Sequence, residues 1–521
     1  MALEIRLAGH NLDRDLLLEI RRALARVRDL PAGLSAEADE ARVEAAALLE
    51  KDNWTPETLS AAYARISRDP RAVHELRAAA REEVEAARRS NETIIFGFGH
   101  ASVAEHAVFN LDILGISRLA VEEVQRTRLG SYTEKSQRYI LLEEEFVIPE
   151  EIVALGLEKE MREAIARQNA FYRSAYETLL PWVLERHPEI AGSKKHRRTL
   201  EGLAKEDARY GLSLATTVQM GATWNARSLE RLIARTAAHP LSELRDFSRK
   251  LHASIGEIAP SIVKHTAPAF SRSRSAAAAR RWGQQTAALA RPSAASAAGP
   301  VAEAVLVAAP PDADLLVVAA LLHSYGHGDA AACRERAAAL GANGREELLR
   351  DLLKEISPHD PVPREFEVAA LTFELVPSAA CFAQLKRHRM TTLTAQDYDV
   401  SLGVTIPPSF VATGLDGPFE ELRAEAERLH ARVLESGTAE AAPYLLLNAH
   451  RRRVLWTVNA RELYHVARLR LDSHAQWDIR RLIGHVLDLA RESAPSLLLL
   501  ACGKDLFDQT RQDVFGEGGT A

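Results

Sequence analysis

The chain has 521 residues, of which 47% are hydrophobic and 26% are charged, and its formal net charge is −6. This length is too great for one ordinary core, so we expect two or three domains, and the composition excludes a disordered chain. The acidic balance excludes a uniformly basic nucleic-acid binder, and three cysteines without C-x-x-C spacing exclude a disulfide framework and a thiolate zinc site.

The chain begins "MALEIRLAGHNLDRD", in which charge interrupts the apolar residues too early for a signal peptide. The long apolar run at residues 301–322 contains two prolines and two aspartates, so it predicts no membrane span. Together with the low cysteine content, these features predict a cytoplasmic protein in a reducing compartment.

The strand "AVFNLDIL", residues 107–114, alternates apolar residues with Asn110 and Asp112. A short helical pattern follows, with Ser117 as its expected N-cap, and ends at an R-T-R segment. The next stretch, "QRTRLGSYTEKSQRYI" at residues 125–140, holds three arginines beside serine hydroxyls and a glutamate. Guanidinium groups bind phosphate bidentately, so this is a candidate anion-binding loop. The plainer alternative is a solvated helix end followed by a turn.

The order of elements recurs beyond residues 271–300, which are rich in Ala, Ser and Arg and predict a linker. The strand "ALTFELV" at residues 370–376 again alternates, Ser378 is the expected N-cap, and an R-H-R segment follows. Later, "TWNARSLERLI" at 223–233 matches "TVNARELYHVA" at 457–467. Two matching blocks in the same order indicate a duplication.

The spacing of the blocks locates a difference between the two halves. Asn225 follows Arg126 by 99 positions, whereas Asn459 follows Arg387 by 72, so the first half carries an insertion, predicted around residues 184–202. We therefore predict two α+β domains, residues 1–270 and 301–521, each with an antiparallel sheet packed with helices.

The second N-A-R segment is a candidate ligand-binding helix face. If it is helical, its polar residues project toward a shared pocket, because positions i and i+4 are neighbours: Asn459, Arg461, His465 and Arg470. Such residues are more often surface charge than ligands. The following "HAQWDIR", residues 474–480, predicts helix packing.

These segments carry a resemblance to a known family. "RTRLGSYTEKSQRY" resembles the signature of the flavin-dependent thymidylate synthases, which runs R-H-R, two variable positions, then S-x-N-E-x-S-x-R-Y. The matching places are Arg126, Arg128, Ser131, Glu134, Ser136, Arg138 and Tyr139. "GHASVAEH" resembles the H-x-x-x-x-E-H block through His100, Glu105 and His106. "EDARYGLSLATTVQMGATWNAR" resembles the A-R … N-A-R segment through Arg209, Asn225 and Arg227.

The resemblance implies a reaction and an assembly. The family makes dTMP from dUMP with FAD as redox centre, NADPH as hydride donor and methylenetetrahydrofolate as carbon source. It uses no enzyme cysteine, which suits three cysteines without an activating setting. The family is homotetrameric, with active sites where subunits meet.

The resemblance also implies site residues, and no metal. The implied dUMP ligands are Glu134, Ser136, Gln137, Arg138, Arg209 and Gln384. The implied flavin contacts are His100, Glu105, Arg126, Arg128, Asn225, Arg227, Arg387, His388, Arg389, Asn459, Arg461 and His465. Arg470 matches the family arginine that favours ionisation at uracil N3, and Arg235 is its counterpart in the first half, one position early.

Each half departs from the family pattern at different places. The first half has Glu123 for the family Gln, Thr127 for His and Thr133 for Asn. The second half replaces the nucleotide-loop residues and the dUMP-binding arginine with Ala395, Asp397, Asp399, Val400 and Pro443. Two carboxylates would repel a phosphate, so the second half cannot form a normal nucleotide pocket alone.

Because these losses are complementary, the two halves could share a composite site. We expect a homodimer of tandem domains, a pseudo-tetramer with half its sites active, that binds dUMP or a related pyrimidine nucleotide and neither nucleic acid nor a membrane. One alternative is a catalytically degenerate paralogue that binds flavin or nucleotide as a sensor or scaffold. Another, nucleic-acid binding through the arginine-rich loop and the linker, predicts strongly salt-dependent affinity for oligonucleotides.

Overall fold

The structure is a computed structural model that describes residues 2–29, 35–50, 53–142, 145–264, 266, 282 and 301–516. The predicted linker at 271–300 lies outside these residues, apart from Trp282. Among the described helices, none has both the length and the apolar character needed to cross a bilayer.

Two four-stranded antiparallel sheets organise the chain, one in each half. Their strands are β1 Glu4–His10, β2 Val108–Ser117, β3 Ser131–Glu134, β4 Thr217–Asn225, β5 Ala304–Ala308, β6 Ala370–Leu375, β7 Thr392–Tyr398 and β8 Arg452–Asn459. The first sheet has the order β1-β2-β4-β3, and the second has the order β5-β6-β8-β7. The two orders are the same, so the predicted duplication of two α+β units is confirmed.

Helices surround both sheets. Those of the first half are Arg14–Asp29, Ser35–Glu50, Glu57–Arg65, Val73–Glu82, Val84–Asn91, Arg118–Gln125, Glu150–Ala154, Glu158–Arg186, Pro188–Ala191, Lys194–Ala208, Ala226–Ala237 and Ser242–Gly256. Those of the second half are Ala313–Tyr325, Ala330–Ala339, Gly341–Lys354, Ala379–Leu385, Pro408–Thr413, Asp416–Glu435, Ala460–Arg470, Trp477–Ser493 and Phe507–Phe515.

Alternation along β2 and β6 sets which face of each sheet is buried. Phe109, Leu111 and Ile113 of β2 are almost fully buried, while the residues between them face away from the core. In the second sheet, Leu371 and Phe373 of β6 are buried in the same way. A period of two is what a half-buried strand requires, so both predicted strands are confirmed.

Side-chain caps begin the two pairs of equivalent helices. Ser117 Oγ accepts a hydrogen bond from Ala120 N at 3.0 Å, and Ser378 Oγ accepts one from Cys381 N at 2.9 Å. The N-A-R helices also start at a cap, with Asn225 Oδ1 and Asn459 Oδ1 each accepting a backbone N–H at 2.8 Å. Each cap satisfies one of the free N–H groups of a helix start.

The extra chain of the first half forms additional helix. Glu158–Arg186 is followed by Lys194–Ala208, whereas the second half has only Asp416–Glu435 before a 3₁₀ turn at Ala439–Leu445. The long helix packs across the halves, because the Phe171 ring lies 5.6 Å from that of Phe410. This long helix and the helix that follows it, through Leu200 and Ala204, thus add to a hydrophobic core shared by the two copies.

The copies also exchange hydrogen bonds in a two-fold manner. Tyr210 donates to Asp478 at 2.8 Å, and Asp478 also accepts from Ser378 at 2.7 Å. In the other direction, Tyr444 donates to Glu243, which accepts from the helix cap of the first half. Each copy therefore inserts a buried tyrosine into the cap of the other, and backbone bonds from Leu214 N to Leu446 O (2.9 Å) and from Asn448 N to Leu212 O (2.8 Å) run between them. These contacts fix the orientation of one copy against the other.

Candidate functional site

The two R-x-R segments face each other between the copies. Arg128 Nη1 donates to Thr391 O at 3.0 Å, and Arg389 Nη1 donates to Arg128 O at 3.2 Å. The loop of the first copy approaches closely at Gly130, where a Cβ atom would collide with the Trp224 ring. These contacts join one wall from each copy around a single space.

That space is a cavity of about 510 Å³. Its lining residues come from both copies: Glu105, Val108, Arg128, Leu129, Gly130, Ser131, Thr223, Trp224, Asn225, Arg387, His388, Arg389, Met390, Glu462 and His465. The volume lies in the range of small-molecule and cofactor sites. Among the residues predicted to contact flavin, the cavity brings together Glu105, Arg128 and Asn225 of the first copy with Arg387, His388, Arg389 and His465 of the second.

The loop at residues 131–139 of the first copy runs from this cavity toward the second copy. Arg138 Nε donates to Glu206 Oε2 at 2.7 Å, and Arg138 Nη2 donates to His474 O at 3.2 Å. Ser136 Oγ caps the turn by accepting Arg138 N at 3.1 Å. The loop arginine is therefore held at the boundary between copies by a buried carboxylate.

Arg209 lies behind this loop and is 4% exposed. Its Nε donates to Glu206 O at 3.2 Å, but its Nη2 is buried and has no hydrogen-bond acceptor among the described residues. Burial lowers the pKa of Arg209, although the group stays a cation. The Nε2 of Gln137 is likewise buried without an acceptor in the described part of the chain. Native proteins rarely leave such donors without a partner, so both point to a missing acceptor.

Glu134 balances part of this charge. It forms an ion pair with Arg118 and accepts from Gln125 Nε2 at 3.2 Å. Burial would raise the pKa of Glu134, but Arg118, Lys386 and Arg387 outweigh burial and lower it. The carboxylate therefore stays ionised and holds the loop against the second copy.

The second copy contributes Arg470, which pairs with no carboxylate among the residues that the structure describes. Arg470 Nε donates to His388 Nε2 at 2.8 Å, and its Nη2 donates to Gln384 O at 3.2 Å. Burial, together with the charges of Arg387 and Arg138, lowers the pKa of Arg470 to about 10. Burial lowers the pKa of His388 to about 3, so this ring is neutral and accepts the guanidinium N–H.

The equivalent arginine of the first copy is neutralised. Arg235 Nε lies 2.9 Å from Glu123 Oε1, and Arg235 Nη2 donates to Thr127 Oγ1 at 3.0 Å. The same glutamate also pairs with Arg126 at 2.8 Å. Glu123 occupies the sequence position that corresponds to Gln384. This one difference neutralises two arginines of the first copy, Arg235 and Arg126, whose counterparts in the second copy face a neutral side chain.

Side chains of both copies form a cluster beside the corresponding loop of the second copy. Glu122 of the first copy accepts from Tyr398 OH and pairs with Arg452, both at 2.7 Å. The Arg452 guanidinium lies 4.4 Å from the centroid of the Tyr398 ring. In the other cleft the residues at the corresponding sequence positions are Ala383, Gln137 and Val218, which cannot form such a cluster.

The other residues predicted to contact flavin are not among those that line the cavity. Arg461 pairs with Glu367 at 3.2 Å in the second copy, whereas Arg227 pairs with Glu105, which does line the cavity. Asn459 caps the Arg461 helix, and neither residue lines the cavity. His100 is exposed beside the Phe98 ring and does not line it either.

Three groups in the cavity have a spacing that a metal ion could use. Ligand atoms of His388, Glu462 and His465 lie within 4.8 Å of one another. However, Arg470 already donates to His388 Nε2, and Arg387 lies nearby. Two neighbouring guanidinium groups disfavour a bound cation, so the chemistry of this wall suits an anion.

Sequence reasoning did not find three residues of the site. Glu206 orients Arg138, Arg118 pairs with Glu134, and Lys386 places a buried ammonium group beside the loop. Glu206 stands three positions before Arg209, which is the only local signal that could have identified it. In the sequence, Arg118 and Lys386 look like ordinary charged residues next to a motif.

A family model described as "Thymidylate synthase complementing protein" matches residues 48–261 and 305–496. The UPF0159 protein Ta1429 of Thermoplasma acidophilum is 24% identical over 448 residues, which is 78% of this chain and 86% of that protein. The flavin-dependent thymidylate synthase of Pyrococcus abyssi is 33% identical over 164 residues, covering 30% of this chain and 58% of that enzyme, and that of Clostridium tetani is 28% identical over 217 residues, covering 41% and 83%. Both halves match the same family model, so the chain belongs to the flavin-dependent thymidylate synthase family.

Proposed function

We propose that this chain catalyses the reductive methylation of dUMP to dTMP at a site built from both copies, with FAD as cofactor and NADPH and methylenetetrahydrofolate as co-substrates. The observation that carries the proposal is the positive charge that both copies contribute to one cleft. Arg138 and Arg209 come from the first copy and Arg470 from the second, and they converge on one cleft. Within the described part of the chain, no carboxylate pairs with Arg470 there.

The first copy binds the nucleotide phosphate in this proposal. Arg138 is held in place by Glu206, so its guanidinium loses little freedom when a phosphate binds. Arg209 offers its free Nη2, and Ser136 keeps the turn in shape. Buried guanidinium groups form strong charge-assisted hydrogen bonds with phosphate.

The second copy acts on the pyrimidine ring. Arg470 stabilises negative charge at uracil N3, as donors in an oxyanion hole stabilise a developing anion. The neutral His388 ring fixes Arg470 by accepting its Nε–H, and Gln384 O fixes the other end. Such support keeps the cation in one orientation.

The shared cavity holds the flavin, which supplies the redox chemistry when it is bound. Arg128, Arg387 and Arg389 provide cations for its phosphates. Asn225 uses Oδ1 to cap its helix, so its Nδ2 remains to donate toward a ligand. The fit is good because the wall is cationic, concave and rich in donors.

No cysteine is among the residues that line the shared cavity. Burial raises the pKa of Cys381 well above its ordinary value, and burial also raises that of Cys502. Neither thiol forms a reactive thiolate near pH 7. The activation of the pyrimidine therefore depends on charge stabilisation by Arg470.

One nucleotide binds per chain in this proposal. The second cleft carries Asp397 and Asp399 in its loop, and Glu123 neutralises Arg235 there. We expect a homodimer, which brings four copies of the domain together, and light scattering after size-exclusion chromatography measures its mass.

The test combines binding and turnover. The purified chain should bind FAD, seen in its absorbance spectrum, and should bind dUMP with a calorimetric stoichiometry near one per chain. It should then oxidise NADPH in response to dUMP and release tritium from dUMP labelled at C5. Binding of both ligands without tritium release would instead identify a sensor or scaffold, and binding of neither would refute the proposal.

A further inference from the structure

A second, smaller cavity of about 140 Å³ lies beside the composite cleft. Its lining residues are Gln125, Tyr132 and Glu134 of the first copy and Lys386, Arg387 and Arg389 of the second. A water occupies about 30 Å³ in the liquid, so the space is large enough for a phosphoryl group and much too small for a whole dinucleotide.

The carboxylates near this cavity already have partners. Glu134 pairs with Arg118. Glu122, whose charge acts on Lys386, pairs with Arg452 at 2.7 Å. Two carboxylates are thus compensated by two arginines. The cations that line the cavity contribute charge beyond that balance.

Lys386 is the clearest part of this excess. Its Nζ is buried and makes no hydrogen bond or ion pair with any residue that the structure describes. Burial lowers the pKa of Lys386 to about 8, while Glu122 and Glu134 act in the opposite direction. A buried ammonium group without an acceptor is costly, which favours a bound anion.

Arg387 adds a second free cation. Within the described residues, its guanidinium makes no side-chain hydrogen bond or ion pair, whereas the equivalent Arg126 pairs with Glu123 at 2.8 Å. The duplication supplies a further comparison, because Gln125 stands at the position of Lys386 in the first copy. The fold therefore does not require a lysine here, and its charge is specific to the composite cleft.

We propose that Lys386, with Arg387 and Arg389, makes this small cavity a subsite for a phosphoryl group of a ligand in the composite cleft. The phosphoryl group is either one of those of the flavin dinucleotide, since both cavities share Arg387 and Arg389, or the single phosphate of the nucleotide, which would then bind here in place of Arg138 and Arg209. This inference rests on the proposed function for its choice of ligands. Lys386 is a specificity-determining residue in this view.

The experiment compares ligands with and without phosphate on the full-length chain. Lys386→Met keeps the length of the side chain and removes the charge, and Lys386→Arg keeps the charge. Lys250→Met is a matched control, because Lys250 forms an ion pair with Asp246 at 2.7 Å outside the cleft. Dissociation constants are measured for dUMP against deoxyuridine, for FAD against riboflavin, and for inorganic pyrophosphate.

Lys386→Met should weaken the phosphorylated member of one pair at least about tenfold, leave its phosphate-free partner within about twofold, and weaken pyrophosphate. Lys386→Arg should restore most of the affinity. The affected pair identifies the source of the phosphoryl group. The subsite would be ruled out if Lys386→Met weakened the binding of both members of each pair equally, or weakened the binding of none of these ligands. If wild-type protein binds pyrophosphate but neither nucleotide nor flavin, the subsite stands and the proposed function fails; if it binds none of them, both fail.

Discussion

A single negative charge introduced at position 384 should weaken nucleotide binding in the composite cleft. In the first copy Glu123 pairs with both Arg235 and Arg126, and the corresponding residue of the second copy is the neutral Gln384. The substitution Gln384→Glu should give Arg470 the partner that Arg235 already has. The nucleotide would then compete with a permanent carboxylate.

The magnitude follows from the geometry of the existing pair. Arg235 Nε lies 2.9 Å from Glu123 Oε1, so the charge centres are about 4 Å apart. At an effective dielectric constant of about 20, such a pair interacts by about 4 kcal/mol. Partial exposure and rearrangement reduce this, and we expect a loss of about 2–3 kcal/mol in nucleotide binding, or roughly 30- to 150-fold in Kd.

Isothermal titration of dUMP into the FAD-loaded chain measures this loss. Gln384→Ala separates the new charge from the lost hydrogen bond to Gln476 Oε1, which is 3.2 Å long in the wild type. Glu123→Gln is the matched control in the other cleft, where Asp397 and Asp399 still oppose a phosphate. The Glu123→Gln variant should bind dUMP with the affinity and stoichiometry of the wild type.

A dUMP affinity of Gln384→Glu within about threefold of the wild type, with a normal melting temperature, would refute the assignment of Arg470 to the nucleotide. A loss of the same size in Gln384→Ala would assign the effect to the hydrogen bond and not to charge. Equal losses in Glu123→Gln would mean that the two clefts are not distinguished by this residue pair.

The other predictions concern the loop, the interface and one buried acid. Arg138→Ala should weaken dUMP binding by about 2–5 kcal/mol in the same titration, and unchanged affinity would remove Arg138 from the site. Tyr210→Phe should lower the free energy of unfolding in urea by about 2 kcal/mol, because it deletes a buried hydrogen bond to the Asp478 carboxylate; an unaltered midpoint would mean that this bond contributes nothing. Burial raises the pKa of Asp207 to about 6, so its contribution to stability is present below about pH 4 and is lost as the pH rises through 6. Asp207→Asn should therefore lose less stability than the wild type between pH 5 and pH 7, and parallel curves would contradict this.

The features of the fold that depend on residues close in sequence were predicted well. The period of two in β2 and β6 follows from burial of one sheet face, and the caps at Ser117 and Ser378 bond within three residues. The repeated order of blocks predicted two equivalent units, and the sheets have the same strand order. Each of these features depends on residues that are close in sequence.

The composition of the site depended on distant contacts and was only partly predictable. Glu123 was recognised as a departure from the family pattern, but its pairing with Arg235 joins residues 112 positions apart and required the fold. The free ammonium of Lys386 could not be predicted either, because its burial arises from the approach of the other copy. The choice of Asn225 over Asn459 for the shared cavity likewise depends on which helix start faces the partner copy.

The difference between Glu123 and Gln384 has a consequence for how such an enzyme can evolve. In a homo-oligomer every mutation appears in all subunits at once, so a change that ruins one binding cleft ruins them all. Joining two copies in one polypeptide removes that constraint, because each half mutates independently. One cleft can then accumulate a salt bridge between the halves, such as the pair of Arg452 with Glu122, while its sister keeps an arginine that no such pair neutralises.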